Sequence, residues 1–321
     1  MTGHRAQTTE LNDGIVAIDT EYARPLQDAS HLIIEGGRAA FVDTGTNYSV
    51  PLLIDALRQR ELDVGDVDFV FLTHIHLDHA GGAGLLMQEL PNARCVVHPR
   101  GALHMADPAK LIAGTEAVYG VEQTSKMYGV IQPVEQSRIV VAGDEQWFDL
   151  NGRKMQALYT EGHALHHYCL NDPVSRGVFT GDSFGVSYRE MDTAAGEIVF
   201  PTTTPTHFDP DAAHVAVDRI MACKPKQLYL THYSRVRDLD RLAKDMHAGI
   251  DAYVEIAMAN KEAEDLYTAI LSPMSEYMKT RARDHGFEGD DEVLHSILEI
   301  DIVLNTKGLV SWLQRLKKKG M

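Results

Sequence analysis

Residues 73–79 read Thr73-His74-Ile75-His76-Leu77-Asp78-His79, so three imidazoles and a carboxylate leave the chain within six positions. In extended backbone His74 and His76, two apart, project to the same side. Asp78 and His79 follow as the chain turns into Ala80-Gly81-Gly82. Crowding such groups brings no packing benefit, because polar side chains taken out of water cost free energy unless they are partnered. The pattern fits a divalent cation, for which imidazole and carboxylate are usual donors, and the chemistry would be water activation and polarisation of a carbonyl or phosphoryl oxygen. One loop can serve two adjacent cations.

Four further segments bear similar groups at similar places. Phe41-Val42-Asp43-Thr44-Gly45 ends an apolar run with an acid in a tight turn, and Thr160-Glu161-Gly162-His163 ends one with an imidazole. Phe179-Thr180-Gly181-Asp182-Ser183 supplies a carboxylate, and Tyr229-Leu230-Thr231-His232 supplies a last histidine. Each acid or imidazole sits just past a strand-like run, where side chains converge on one sheet edge.

The elements that must hold these groups are legible from periodicity. Residues 67–72, with their β-branched and aromatic content, read as a buried strand that delivers the histidine run. Strand signals at 15–18, 31–34 and 39–42, separated by turns, give a meander opening, and helical spacing over 48–62 places Leu52, Leu53, Ala56 and Leu57 on one face. A helix over 84–90 stops at Pro91, and 95–97 is strand. Helical pieces at 102–106, 109–119 and 122–130, broken by Pro108, Gly114, Gly120 and Gly129, read as an insertion beside the site. Strands follow at 138–141, 146–150, 154–159, 168–170, 178–179 and 227–230, with a helix over 210–222 between the last two. Beyond Tyr233 no strand is predicted: Leu239, Leu242, Met246, Ile250, Tyr253 and Ile256 recur at helical steps, and helices follow near 262–284, 291–304 and 308–318. Two domains are therefore expected, 1–233 carrying the site and 234–321 as an all-helical extension that caps the pocket or pairs two subunits.

Charge and cysteine content exclude some classes. With 30 Lys and Arg against 46 Asp and Glu, the net charge of −16 repels polyphosphate chains, so no nucleic-acid partner is expected. Cys95, Cys169 and Cys223 are odd in number and lack a Cys-x-x-Cys spacing, which argues against a disulfide framework. Residues 1–10 lack the apolar core of a signal peptide, and no run approaches the roughly eighteen apolar residues of a membrane span. A cytoplasmic protein without membrane partners is the expectation.

With five motifs in this order, the chain resembles the metallo-β-lactamase superfamily of dinuclear metallohydrolases over about residues 10–233. The resemblance implies an α/β fold, the four-layer αββα sandwich with metals at one edge of its two sheets, here followed by the helical appendage. It implies that His74, His76 and His163 hold a first metal, that Asp78, His79 and His232 hold a second, that Asp182 bridges them, and that Asp43 fixes the ligand loops from behind. Two divalent ions are implied; the donor types suit Zn²⁺ first and also accept Fe²⁺ and Mn²⁺. A metal-bridging hydroxide would be the nucleophile, with Asp78 also accepting or relaying the proton. The Thr-His-x-His-x-Asp-His-Ala-Gly-Gly run is similar to that of glyoxalase II, although no matching basic cluster for glutathione is found. Lactone-cleaving relatives carry a tyrosine three residues after the bridging aspartate, where this chain has Gly185. No cysteine stands where one β-lactamase class needs it, and histidines stand where the redox relatives have other ligands.

A hydrolase of a small ester, thioester or lactone is the leading expectation. The alternatives are a phosphodiesterase or nuclease of the same fold, or a ligand-sensing regulatory protein that retains the site. Tyr188, His207, His167 and Tyr233 are the candidates for substrate contact, since they lie near the ligands in sequence without being ligands themselves. Asp209 before Pro210 reads as a helix N-cap followed by an N1 proline.

Overall fold

The β-rich first part of the chain pairs into one seven-stranded sheet whose spatial order is the chain order: β1 (Thr8–Glu10), β2 (Ile15–Asp19), β3 (Ala29–Glu35), β4 (Arg38–Val42), β5 (Val67–Phe71), β6 (Arg94–Val97) and β7 (Ile139–Val141). The structure, a computed structural model, describes residues 5–203 and 206–320. Thr204 and Pro205, inside the segment that carries His207, lie outside them. β1 through β4 run antiparallel, whereas β4–β5, β5–β6 and β6–β7 are parallel pairs. Parallel neighbours cannot be joined by a tight turn, so helices fill the crossovers. These are α1 (Val50–Arg58), the short α2 (Leu77–Ala80), α3 (Ala83–Glu89), α4 (Pro99–Ala106), α5 (Ala109–Tyr119) and α6 (Val121–Tyr128). Leu52, Leu53, Ala56 and Leu57 of α1 are buried as their spacing requires, and pack in one core with Ile18, Leu32, Phe41, Val70 and Cys95.

The parallel pairing of β4 with β5 has a direct consequence for the site. Val42 lies opposite Phe71 in register, so the two chains leave the sheet side by side at the same edge, one into Asp43 and the other into Thr73 and the histidine run. In sheets with parallel strands, the carboxyl ends are where binding groups collect.

A second, antiparallel stack follows: β8 (Trp147–Leu150), β9 (Arg153–Tyr159), β10 (Tyr168–Asp172) and β11 (Gly177–Gly181). The Tyr168 N–H donates to Thr73 O at 2.9 Å and its hydroxyl to Val96 O at 3.1 Å, which locks the stack to the ligand-bearing loop. The stack also holds a fully buried ion pair. The Arg153 guanidinium forks onto Asp172, with Nε to Oδ1 at 3.1 Å and Nη2 to Oδ2, and its Nη1 donates to Asp13 O at 2.6 Å.

All of these elements belong to one compact unit, Met1–Tyr159 with His166–Gly181 and Thr231–Ser234. A second unit comprises Thr160–Leu165, Asp182–Leu230 and Arg235–Met321. It contains α7 (Pro210–Ala222), β12 (Gln227–Leu230), α8 (Leu239–Ala259), α9 (Leu266–Asp284) and α10 (Asp291–Lys318), the last three packed on one another. Asp209 caps α7 by accepting from Ala212 N at 3.1 Å, with Pro210 at N1.

Three details differ from the expectation. Strand β1 precedes the predicted meander, and a short strand, β13 (Ser234–Val236), stands where only helix is expected. α10 is one helix of 28 residues, where the periodicity suggests two. The polar stretch that interrupts its apolar pattern does not break it, because the groups are used: Thr306 Oγ1 donates to Ile302 O at 2.7 Å, and Asn305 bonds to a neighbouring segment. Among the described residues no helix is long and apolar enough to cross a membrane.

The buried pair gives a stability prediction. Asp172→Ala strands a buried guanidinium and should cost about 3–5 kcal/mol, whereas replacing both partners, Arg153→Met with Asp172→Leu, should cost much less. Urea unfolding midpoints of the two variants check this; equal losses would contradict it.

Candidate metal centre

Within the first unit, six of the sequence-predicted groups come together. His74 Nε2 lies 2.7 Å from His76 Nδ1, so the two rings meet at one point as their two-residue spacing requires. His74 is fully buried and backed by His167, whose ring stacks on it at 4.9 Å between centroids, and by Thr73 Oγ1 at 3.3 Å from its Nδ1. Asp78, His79 and His232 form a second group, their ligand atoms all within 4.8 Å of one another.

The orientation of this second group is set by two buried carboxylates. His79 Nδ1 donates to Asp43 Oδ2 at 2.8 Å, and His232 Nδ1 lies 2.6 Å from Asp28 Oδ1. Each imidazole is thereby held in the tautomer with its lone pair on Nε2, and each Nε2 stands 3.8 Å from Asp78 Oδ2. Two Nε2 atoms and one carboxylate oxygen converging at this spacing, each ring braced from behind by an acid, is the donor chemistry of a divalent metal site. Burial pushes the Asp28 carboxyl up to about 6, against the pull of His232, which would hold it down.

Asp43 does more than hold one ring. It is 1% exposed and accepts from Thr73 N at 2.8 Å, from Thr73 Oγ1 at 2.8 and 3.0 Å to its two oxygens, and from Thr231 Oγ1 at 2.8 Å. Residues just before His74, His79 itself and the residue before His232 thus converge on a single carboxylate. Asp43 itself has φ +58°, a left-handed conformation that an aspartate tolerates better than most residues. Gly181 is required by proximity: at φ +48° a Cβ there would stand 2.6 Å from Thr73 Oγ1 and 2.7 Å from His167 Nε2.

The second unit holds the other two predicted ligands. His163 Nε2 is 3.3 Å from Asp182 Oδ2, both nearly buried. Thr202 braces them together: its hydroxyl lies 2.8 Å from His163 Nδ1 and donates to Asp182 O at 3.2 Å. Behind Thr202 stands α10, whose Asn305 accepts from Thr203 N at 2.7 Å, takes the Thr203 hydroxyl on its own carbonyl at 3.0 Å and donates to Pro201 O at 3.3 Å. The C-terminal helices therefore support the segment that fixes this pair. His163, Asp182, Thr202, Phe208 and Met246 line a small cavity in the same unit.

The four substrate candidates lie in different surroundings. Tyr188 is 1% exposed and donates to Asp301 Oδ2 at 2.9 Å, so it ties the second unit's core to α10 and does not face solvent. His167 is fully buried behind His74, and Tyr233 packs on Ala17 and Ala29. His207 is half-buried, its Nδ1 3.1 Å from Thr206 Oγ1. The sequence reading missed Asp28, Thr202 and Asn305 altogether. It also missed Tyr22, Tyr119 and Tyr128 as a group: Tyr22 and Tyr128 stack at 5.9 Å with their hydroxyls 3.1 Å apart. Burial first, and then among other neighbours the nearby charge of Asp78, push all three phenols up, Tyr119 to about 12, so they stand as neutral donors on the Asp78 side.

Comparison with known proteins follows this geometry. The sequence model of the metallo-beta-lactamase superfamily matches residues 23–232. A metallo-beta-lactamase fold-containing protein of Sulfurisphaera tokodaii is 29% identical over 170 residues, which cover 52% of this chain and 60% of that protein. An atrochrysone carboxyl ACP thioesterase of Aspergillus chevalieri is 26% identical over 48% of this chain and 39% of its own. The chain thus matches less than two thirds of the length of either curated relative. Among solved structures, an archaeal metallo-beta-lactamase superfamily protein from Sulfolobus tokodaii superposes with a TM-score of 0.63 at 22% identity, covering 93% of this chain and 99% of that one. That likeness bears out the expected fold class, with two sheets, flanking helices and a helical C-terminal region.

The carboxylates behind the imidazoles generate a measurable expectation. Asp43→Ala and Asp28→Ala should each weaken divalent-metal affinity about 10- to 100-fold. Competition with a chromophoric chelator checks this, and unchanged affinity in both variants would contradict the bracing role.

Proposed function

The chain belongs to the metallo-β-lactamase superfamily, and on that premise we propose that it is a metal-dependent hydrolase of ester-type bonds, with small thioesters as the first substrate class to try and lactones and oxygen esters after them. The single observation that carries the reading is the convergence of His79 Nε2, His232 Nε2 and the Asp78 carboxylate, both rings braced by buried acids. We further propose that His74 and His76 with His163 form a second donor set, that Asp182 is shared by both, and that zinc is the natural metal. The resemblance and the order of the motifs support this assignment.

Two divalent cations, when bound, supply a Lewis acid for the carbonyl oxygen and lower the pKa of a water that attacks it. The chain's own residues do the rest. Asp43 and Asp28 fix the rings so that no reorganisation is needed when charge develops. The Asp78 carboxylate is placed to hold a proton in transit toward the leaving thiol or alcohol. Tyr22 and Tyr128, neutral, stacked and hydrogen-bonded to each other, form a rigid aromatic pair on the Asp78 side. The thioesterase among the relatives favours the thioester within this class, and the net charge of −16 disfavours nucleic acid.

The test is turnover by zinc-loaded protein on a panel of acyl thioesters, aryl esters, lactones and a bis-aryl phosphodiester. Thioester cleavage should dominate, and Asp78→Asn should lower kcat about 10²- to 10⁴-fold. A loaded protein that cleaves only the phosphodiester would overturn the proposal.

A further inference from the structure

Helices α7 and α8 each carry a histidine followed four residues later by an aspartate: His214 with Asp218, and His247 with Asp251. Four residues is about one helical turn, so in each helix the two side chains share a face. The pairs meet across the helix contact in crossed fashion. His214 Nε2 lies 3.1 Å from Asp251 Oδ1 on α8, and His247 Nε2 lies 3.3 Å from Asp218 Oδ1 on α7. The rings are nearly coplanar, with 10° between their planes and 5.0 Å between centroids, and meet edge to edge with their Nδ1 atoms 2.7 Å apart.

Each Nε2 must carry hydrogen to donate to its aspartate, which leaves a neutral ring with its lone pair on Nδ1. Two lone pairs at 2.7 Å repel unless a cation, a shared proton or a metal ion, lies between them. With both aspartates ionised and both rings neutral the cluster carries −2, a charge that a dication would balance. Both rings are about a third exposed, with side-chain exposures of 28% and 32%, so an ion can reach them from solvent.

We propose that His214 and His247 form a surface site for one transition-metal dication of the Zn²⁺ or Cu²⁺ class, held through both Nδ1 atoms and clasping α7 to α8. Metal–nitrogen bonds of about 2.0–2.1 Å separate the two nitrogens by about 3.3 Å at a tetrahedral angle, so the rings must part by about 0.6 Å and each turn off their common line by about 35° to aim both lone pairs at one ion. Asp218 and Asp251 orient the rings through their far nitrogens, as carboxylates do behind metal-bound imidazoles. Water completes the coordination. This site uses none of the residues of the proposed hydrolytic centre.

The experiment uses the full chain, loaded with zinc and dialysed, compared with His214→Gln and His247→Gln. Bound metal per chain is counted by mass spectrometry, and Cu²⁺ added after loading is followed by electron paramagnetic resonance. The wild type should hold one ion more per chain than either variant, and both variants should lose the nitrogen-coordinated Cu²⁺ signal while keeping ester turnover. Zn²⁺ should also raise the melting temperature of the wild type more than that of the variants, and Asp251→Asn should weaken the added site at least about tenfold. Equal metal counts together with identical Cu²⁺ spectra in wild type and variants would overturn the proposal and leave a shared proton as the cation.

Discussion

One buried carboxylate organises the site. Asp43 has no exposure to speak of, yet it is bonded by a backbone N–H, by the hydroxyls of Thr73 and Thr231, and by the His79 ring. A desolvated carboxylate left without partners would be costly, and four donors from two separate segments meet that demand. The same demand fixes where those loops go. Thr73 precedes His74, and Thr231 precedes His232, so satisfying Asp43 positions donors that lie 158 residues apart in the chain. Asp28 repeats the device for the His232 ring, and Thr202 does so with a hydroxyl for His163.

The sheet makes this economical. Because β4 and β5 are parallel neighbours, the turn that carries Asp43 and the loop that carries the histidines leave from one edge, and only short backbone links are needed between them. Asp43 N donates to Phe71 O, and Thr44 N to the carbonyl of His79. Rigid elements hold the donors, while the polar groups that orient them are buried where few waters compete. In the second unit the equivalent support comes from a helix: Asn305 on α10 pins residues 201–203 and thereby the threonine beside His163 and Asp182. The helical C-terminal part is thus tied to the segment that braces His163 and Asp182.

How much of this could be read from the chain follows from the range of each interaction. The strand over 67–72 and the pairing of His74 with His76 are local, fixed by a two-residue period, and both are found. The helix over 210–222, with its Asp209 cap and Pro210, is a local signal and is matched to the residue. Asp28 and Asn305 gave no such signal, because their partners lie 204 and 102 residues away and nothing in their neighbours marks them. Tyr188 shows the complementary limit: proximity in sequence to Asp182 says nothing about which way a side chain turns, and this one is bonded to an aspartate 113 residues on. The break expected in α10 failed because Thr306 bonds back to Ile302 within the helix and Asn305 bonds to Thr203 across 102 residues, the second of which a periodicity cannot see.

Crystallography of the zinc-loaded protein with anomalous diffraction at the zinc edge tests the central claim most directly. The account predicts an anomalous peak about 2.0–2.2 Å from His79 Nε2, His232 Nε2 and an Asp78 oxygen, with both Nδ1 atoms still on Asp43 and Asp28. A loaded crystal whose zinc sits away from these three atoms, or is bound through Nδ1 with the carboxylates released, would contradict it.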